Sequence, residues 1–301
     1  MKKLIFIFTL IFCLGVFPVM SQTPPVAKKN PKITKIHGDT FVDDYFWLRE
    51  KSNPEVLEYL KAENAYTEAI MKPTASLQET LYNEMLARIK ETDLSVPYQK
   101  DGYLYYTRTE QGKQYPIYCR KKGTLRGKEE VLLDMNAMAK DKAFLSLGAF
   151  QVSNDANLLA YSTDESGFRQ YKLHVKDLRT GRLLADIAER VTSVTWANDN
   201  KTLFYVTEDA TTKRSNKFYR HPVGGKSELL YEEKDELYHI GVGRTRSRGY
   251  ILLGIESSTT TEFRYLSADK PNSDLKLMLK RENEHEYHPE AKRSVAEAVD
   301  S

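Results

Sequence analysis

The chain has 301 residues, 41% hydrophobic and 29% charged, enough to bury a sizeable core and unlike a disordered, collagenous or multi-spanning membrane sequence. Its 45 basic and 42 acidic residues are spread along the whole length, so no cationic face points to a phosphate backbone and nucleic-acid binding is disfavoured. The 19 tyrosines and 12 phenylalanines fall mostly in short alternating runs, as half-buried strands require.

Lys2 and Lys3 precede an apolar run from Leu4 to Met20, and Val19-Met20-Ser21 before Gln22 has the small-residue character of a cleavage site. Residues 1–21 therefore read as a secretory signal peptide, with a secreted or periplasmic product and no stable membrane association after its removal. The competing reading is a retained anchor, for which the run is near the lower length limit. Cys13 follows the bulky Phe12, which argues against lipid attachment. Cleavage removes Cys13 and two lysines, leaving 45 − 2 = 43 basic residues, 42 acidic ones and the single Cys119. A lone thiol makes no internal disulfide, so stability must come from packing.

Residues 22–95 form an amino-terminal arm followed by helices. The stretch QTPPVAKKNPKITKI (22–36) has prolines, lysines and no periodicity, and reads as an extended segment. It leads into HGDTFVDDYFWLRE (37–50), which crowds Asp43, Asp44, Tyr45, Phe46, Trp47, Leu48 and Arg49 together. Asn53-Pro54-Glu55 is a helix start, with asparagine as N-cap, proline at the first helical position and an acid in the first turn. Tyr59, Tyr66 and Ile70 share a face and Pro73 ends the run; a second helix over 76–90 carries Leu77, Leu81, Met85 and Ile89 at steps of four. Both helices are amphipathic and need a partner surface.

From Val96-Pro97 the period changes to two, and residues 96–287 read as propeller blades, followed by an irregular tail over 288–301. GYLYYTRT (102–109) and YPIYCRKKG (115–123) are strands joined by a polar, glycine-containing turn. The segments 150–181 and 194–225 then align: Val152 with Trp196, Asp155 with Asp199, Tyr161 with Tyr205 and Leu173 with Phe218, at offsets of 44, 44, 44 and 45. Phe263 follows Phe218 by another 45. A repeat of this length with an Asn-Asp turn in two copies fits one four-stranded blade per unit, over 97–134, 146–185, 191–231 and 237–280. The fold class is thus mainly all-β, a partial β-propeller of about four blades; a plain antiparallel sandwich is the alternative. Four blades are the lower end of the range for closed rings, so the ring is expected to be incomplete.

HGDTFVDDYFWLRE, NPEVLEYLKAENAYTEAIM, LQETLYNEMLARIKETDLSVPY and EQGKQYPIYCRKKG occur in this order and resemble the amino-terminal part of the prolyl oligopeptidase family, in particular its oligopeptidase B branch. The resemblance spans about residues 24–287. Asp44 stands where the family usually carries proline, while Asp43, Tyr45, Trp47 and Leu48 match; Tyr45, Trp47 and Leu48 are taken as signature structural residues. The resemblance implies an arm and helices that pack on a carboxy-terminal α/β-hydrolase domain, and a propeller that caps the active site of a serine peptidase. In the complete enzyme that implies hydrolysis of short peptides after arginine or lysine, without metal or organic cofactor.

Such a peptidase needs a serine on a Gly-x-Ser-x-Gly turn, followed by an acid and a histidine. No Gly-x-Ser-x-Gly occurs in the 301 residues, and by the resemblance none of His37, His174, His221, His239, His285 and His288 falls at a family catalytic position. No catalytic, cofactor or metal residue is therefore assigned, and the chain alone is expected to be inactive, a truncated or frame-changed piece of a longer enzyme. The alternative is a non-catalytic propeller module that binds a peptide or protein. EHEYH (284–288) is one residue short of the helical zinc spacing and reads as a solvated polar loop. Arg244, Arg246 and Arg248 could grip an anion but read first as a charged connecting loop, Gly148, Gly241 and Gly243 as turn or strand-edge glycines, and Cys119 as a buried structural thiol.

Overall fold

The computed structural model describes residues 23–289, so the signal-peptide reading and the end of the tail lie outside the described residues. The chain divides into two compact units after Lys90.

In the amino-terminal unit the arm is more regular than its sequence predicts. Strands β1 (Lys32–Ile36) and β2 (Asp39–Asp43) pair antiparallel from Lys32↔Asp43 to Ile36↔Asp39. Their turn is His37-Gly38, with φ of 52° and 90°, the twice-positive geometry that suits a two-residue hairpin and that glycine adopts freely. Two helices follow, α1 (Pro54–Met71) and α2 (Ala75–Ala87). The α1 start is as expected, with the Asn53 side chain accepting from the Glu55 N–H at 3.0 Å. The second helix stops at Ala87 rather than residue 90, because Arg88 turns tighter and donates to Met85 O. Leu57, Leu60, Ile70, Leu77, Leu81 and Met85 on these helices are about half exposed.

The second unit is four antiparallel sheets of four strands. The first holds β3 (Tyr98–Lys100), β4 (Tyr103–Arg108), β5 (Ile117–Lys122) and β6 (Glu129–Asp134), followed by the short helix α3 (Met135–Met138). The second holds β7 (Ser146–Val152), β8 (Leu158–Asp164), β9 (Lys172–Asp177) and β10 (Leu183–Ala188). The third holds β11 (Val191–Trp196), β12 (Thr202–Glu208), β13 (Ser215–Pro222) and β14 (Glu228–Glu232), and the fourth β15 (His239–Arg244), β16 (Tyr250–Glu256), β17 (Thr261–Ser267) and β18 (Lys276–Leu279). Each sheet is a simple meander, which is how a propeller blade is threaded. Residues 91–95, grouped with the arm in the sequence reading, hydrogen-bond to the first blade: Ser95 N donates to Thr107 O at 2.9 Å and Thr109 N to Asp93 O at 3.0 Å.

Alternation along each strand gives every blade two apolar faces, and neighbours bury them against each other. Leu132, Leu133, Val152, Leu159 and Tyr161 form the core between blades one and two; Leu173, Val175, Val194, Trp196 and Tyr205 that between two and three; Phe204, Phe218, Ile251, Leu253 and Leu266 that between three and four. The aligned repeat positions thereby acquire meaning. Val152 and Trp196, like Tyr161 and Tyr205, face the preceding blade, whereas Leu173 and Phe218 face the following one. Phe263 lies on the face of the fourth blade away from the third, and there the ring of Tyr287 packs on it at 5.4 Å.

Candidate functional site

The aromatic cluster near the start is a fastening for the arm. The Asp43 carboxylate accepts from Tyr45 N–H at 2.9 Å and so opens a 3-10 turn over Phe46–Arg49, in which Leu48 N–H donates to Tyr45 O at 3.0 Å. The turn drives Trp47 inward, 7% exposed, with its indole N–H donating to Lys28 O at 2.8 Å. Phe46 lies between Lys32 Nζ, 3.3 Å from its centroid, and Arg49, 4.6 Å away. Asp44, in the position where proline is usual, pairs with Lys29 at 3.2 Å, while its carbonyl accepts from Asn30 N–H at 2.8 Å. Tyr45 is 44% exposed and its ring stays open, whereas Trp47 is buried with a bond to its own arm.

The Asn-Asp turns are a second construction whose sequence showed only half its purpose. The acids are local: Asp155 Oδ1 accepts from Ser153 Oγ and Asn157 N–H, and Asp199 Oδ1 from the N–H groups of Lys201 and Thr202 at 2.9 Å. The asparagines reach across blades. Asn154 Nδ2 donates to Asn198 Oδ1 at 3.0 Å, and the Arg244 guanidinium, from the fourth blade, donates to Asn198 Oδ1 at 3.1 Å, Trp196 O at 3.3 Å and Asn154 Oδ1 at 3.0 Å. Arg248 donates to Asp101 Oδ1 of the first blade at 2.5 Å, and Asn198 Nδ2 to Arg248 O at 2.9 Å. One polar hub thus ties the first hairpins of all four blades, and the arginine run is structural as well as charged. Burial lowers the pKa of Arg244, with Arg248 nearby acting in the same direction; burial likewise lowers that of Lys100.

A third cluster crosses the seam between the last two blades. Glu233 and Glu262 are buried, at 5% and 4% exposure. Arg281 bridges them, Nη2 to Glu233 at 2.6 Å and Nε to Glu262 at 3.1 Å, over the face of Tyr238 at 4.0 Å. Arg264 holds the other Glu262 oxygen at 2.9 Å, and Tyr231 OH donates to Glu233 at 2.7 Å. Burial alone would raise the Glu233 pKa, but the bonds from Arg281 and Tyr231 outweigh it and hold the carboxyl below its ordinary value; burial and Glu233 push Tyr231 up to about 12.

None of these clusters is a hydrolytic triad. Among the described residues hydroxyls touch imidazoles at Thr163, 3.1 Å from His174 Nε2, and at Ser227, 3.0 Å from His221 Nδ1. The first lies between paired strands with His174 stacked on Tyr161, and in the second Tyr205 OH donates to Ser227 while burial lowers the His221 pKa. Neither serine nor threonine stands on a strand-to-helix elbow with an oxyanion hole beside it. His37 is in the arm turn, His239 is 3.9 Å from Glu256, and the His285–Tyr287 stretch is not a free loop: Thr261 N–H donates to His285 O at 3.0 Å and Tyr287 N–H to Thr261 Oγ1 at 2.8 Å. Among the described residues no group of three or more His, Cys, Asp or Glu is placed to hold a metal ion, and no helix is long and apolar enough to cross a membrane. Gly148 is a packing glycine rather than an edge one, since a Cβ there would meet Ser162 Oγ and Tyr171 Cδ1 at 2.7 Å.

Cys119 is 1% exposed beside Tyr106 and Ile117, and burial, with Glu129 nearby, pushes its thiol up to about 11. A Cys13→Ser chain is therefore expected to show no rapid labelling by a thiol reagent at pH 8 until denaturant is added. Stoichiometric labelling of the native protein within minutes would show that the first blade opens readily.

A family model described as the prolyl oligopeptidase N-terminal β-propeller domain matches residues 24–295. The dipeptidyl aminopeptidase BI of Pseudoxanthomonas mexicana is 39% identical over 290 residues, covering 89% of this chain and 40% of that protein. Protease 2 of Moraxella lacunata is 35% identical over 268 residues, covering 85% and 39%. The solved structure of oligopeptidase B from Leishmania major is similar with a TM-score of 0.83 at 30% identity, covering 90% of this chain and 41% of that one. The chain therefore spans about two-fifths of the length of these relatives. With that match across nearly all of its described residues, the chain belongs to the prolyl oligopeptidase family, and residues 24–295 correspond to its amino-terminal β-propeller domain.

Proposed function

We propose that these residues are the propeller portion of a secreted serine oligopeptidase resembling oligopeptidase B, which hydrolyses short peptides after arginine or lysine, with the serine, acid and histidine carried by sequence outside the 301 residues. The observation that carries the reading is the joint one: four meander sheets matched by the family's propeller model, in a chain without any Gly-x-Ser-x-Gly. In the complete enzyme the propeller acts as a size filter, admitting unfolded peptides to the serine and excluding folded proteins. The peptide bond is broken by acyl transfer through the triad and an oxyanion hole, which this chain does not supply. The half-exposed apolar residues of α1 and α2 are the surface the hydrolase domain would bury.

The test is a chimaera in which residues 24–287 replace the matching segment of the Pseudoxanthomonas relative. It is expected to cleave a short fluorogenic peptide and to spare the same sequence inside a folded protein. A well-folded chimaera without turnover would instead favour a non-catalytic binding module. The 39% identity to a protein named dipeptidyl aminopeptidase favours a second specificity, release of amino-terminal dipeptides. On a protein carrying both portions, blocking the substrate's amino group separates the two: cleavage after an internal arginine survives it and dipeptide release does not.

A further inference from the structure

The first strands of all four blades converge on a cavity of about 210 Å³ lined by Lys100 of β3, Gln151 of β7, Thr195 and Trp196 of β11, and Gly243 and Arg244 of β15. Its charge is unbalanced. Lys100, Arg244 and Arg248 bring three cations to this end of the blades, and Asp101 is the carboxylate that faces them, engaged through Oδ1 by Arg248. Arg244 donates to neutral oxygens, those of Trp196, Asn198 and Asn154, and Lys100 Nζ donates to Val152 O at 3.0 Å. The lowered pKa of both groups is the mark of cations held together in a partly dry place. A guanidinium has five donors and an ammonium three, so both retain N–H groups beyond those neutral contacts.

Gly243 lines the cavity from the exposed inner strand of the fourth blade, and its backbone lies outside the left-handed region, so no strained turn is needed there. Half-buried cations that outnumber the one carboxylate facing them are costly, and a bound anion offsets that cost by charge-assisted hydrogen bonds.

We propose that this cavity is an anion site, taking one compact oxyanion, carboxylate or phosphate, between Lys100 and Arg244. Two sources have that chemistry, the terminal carboxylate of a peptide entering along the blades and free inorganic phosphate. The asparagine contacts orient the Arg244 fork and leave it pointing at a fixed position, as recognition of a planar or tetrahedral oxyanion needs.

Binding is measured on the purified chain by thermal shift and titration calorimetry at fixed ionic strength, with chloride making up the balance. The probes are inorganic phosphate and one short peptide as its free acid and its carboxy-terminal amide. The wild type is expected to bind phosphate or the free acid, with at least fivefold weaker binding in Lys100→Gln, which removes one of the two cations that line the cavity. Arg244→Gln serves as the second variant, with a loss of about tenfold or more, and decides the matter if Lys100→Gln does not fold. Preference for the acid over the amide assigns the site to peptide ends; equal behaviour of the two with phosphate binding assigns it to the free ion. No binding beyond the chloride control, or binding unchanged in a folded variant, overturns the proposal.

Discussion

Replacing Arg281 with methionine is expected to destabilise the blade unit by about 3–5 kcal/mol, the usual cost of removing one partner from a buried ion pair. The reason is what stays behind. Glu233 and Glu262 are each buried, 48 and 19 residues away in sequence, and Arg281 touches both. Methionine fills the volume but leaves Glu233 with the Tyr231 hydroxyl and the Asp235 N–H, and Glu262 with Arg264. Urea unfolding monitored by tryptophan fluorescence reads the change as a lower midpoint at unchanged slope. Adding Glu233→Gln to the variant is expected to recover part of the loss, because a neutral amide costs less to bury unpaired than a carboxylate. A change below about 0.5 kcal/mol would place Arg281 among ordinary surface ion pairs. The same cluster gives a pH dependence with a definite sign. The folded Glu233 carboxyl lies below its ordinary value of 4.5, so the unfolded chain binds the proton first on acidification. Its contribution is fully present above that value and is lost as pH falls through the lower, folded one. The wild type should therefore lose stability on the acid side more steeply than Glu233→Gln.

Phe218→Ala is expected to cost about 3–5 kcal/mol, and Phe218→Leu only about 1–1.5. Phe218 is fully buried between the third and fourth blades, stacked on Phe204 at 5.8 Å and surrounded by Ile251, Leu253 and Ile255. Alanine leaves a cavity that two sheets braced by their own ladders cannot close. Leucine is what the molecule itself uses at the equivalent place, Leu173, where it faces the third blade and is equally buried. The comparison of the two variants by urea midpoints separates packing at the seam from loss of aromatic character: equal losses for alanine and leucine would mean that the ring stacking, not the filled volume, holds the seam.

That equivalence was visible in the sequence because a blade is a unit of nearly constant length, so strands of the same rank recur every 44 or 45 residues whatever their loops contain. Alternation gave the strands, and Asn53-Pro54-Glu55 gave the start of α1. The hairpin of the arm was missed because KITKI carries lysines at positions that would alternate with apolar ones only weakly, and both its strands are solvent-exposed on nearly every residue. Nothing there is selected for a buried face; the signal available was the His37-Gly38 turn. The closing of Trp47 on its own arm was not legible, because no local pattern shows that the Lys28 carbonyl, 19 residues earlier, takes its indole N–H. The hub was half legible. An Asx turn is a property of four consecutive residues, whereas the arginine that joins Asn154 and Asn198 comes from 90 and 46 residues further on. Arg281 lies in a stretch without strand alternation, so its role depends wholly on the fold that brings two buried carboxylates to it. The absence of Gly-x-Ser-x-Gly, in contrast, needed only the sequence.

The measurement that bears most directly on the account is hydrolysis of a short fluorogenic peptide with arginine before the scissile bond by purified residues 22–301, assayed with and without a serine-directed covalent inhibitor. The account predicts no turnover above that of an identically purified blank. Turnover that persists through further purification, co-elutes with the chain and is abolished by the inhibitor would contradict it, and would mean that a nucleophile outside any Gly-x-Ser-x-Gly turn is at work within these blades.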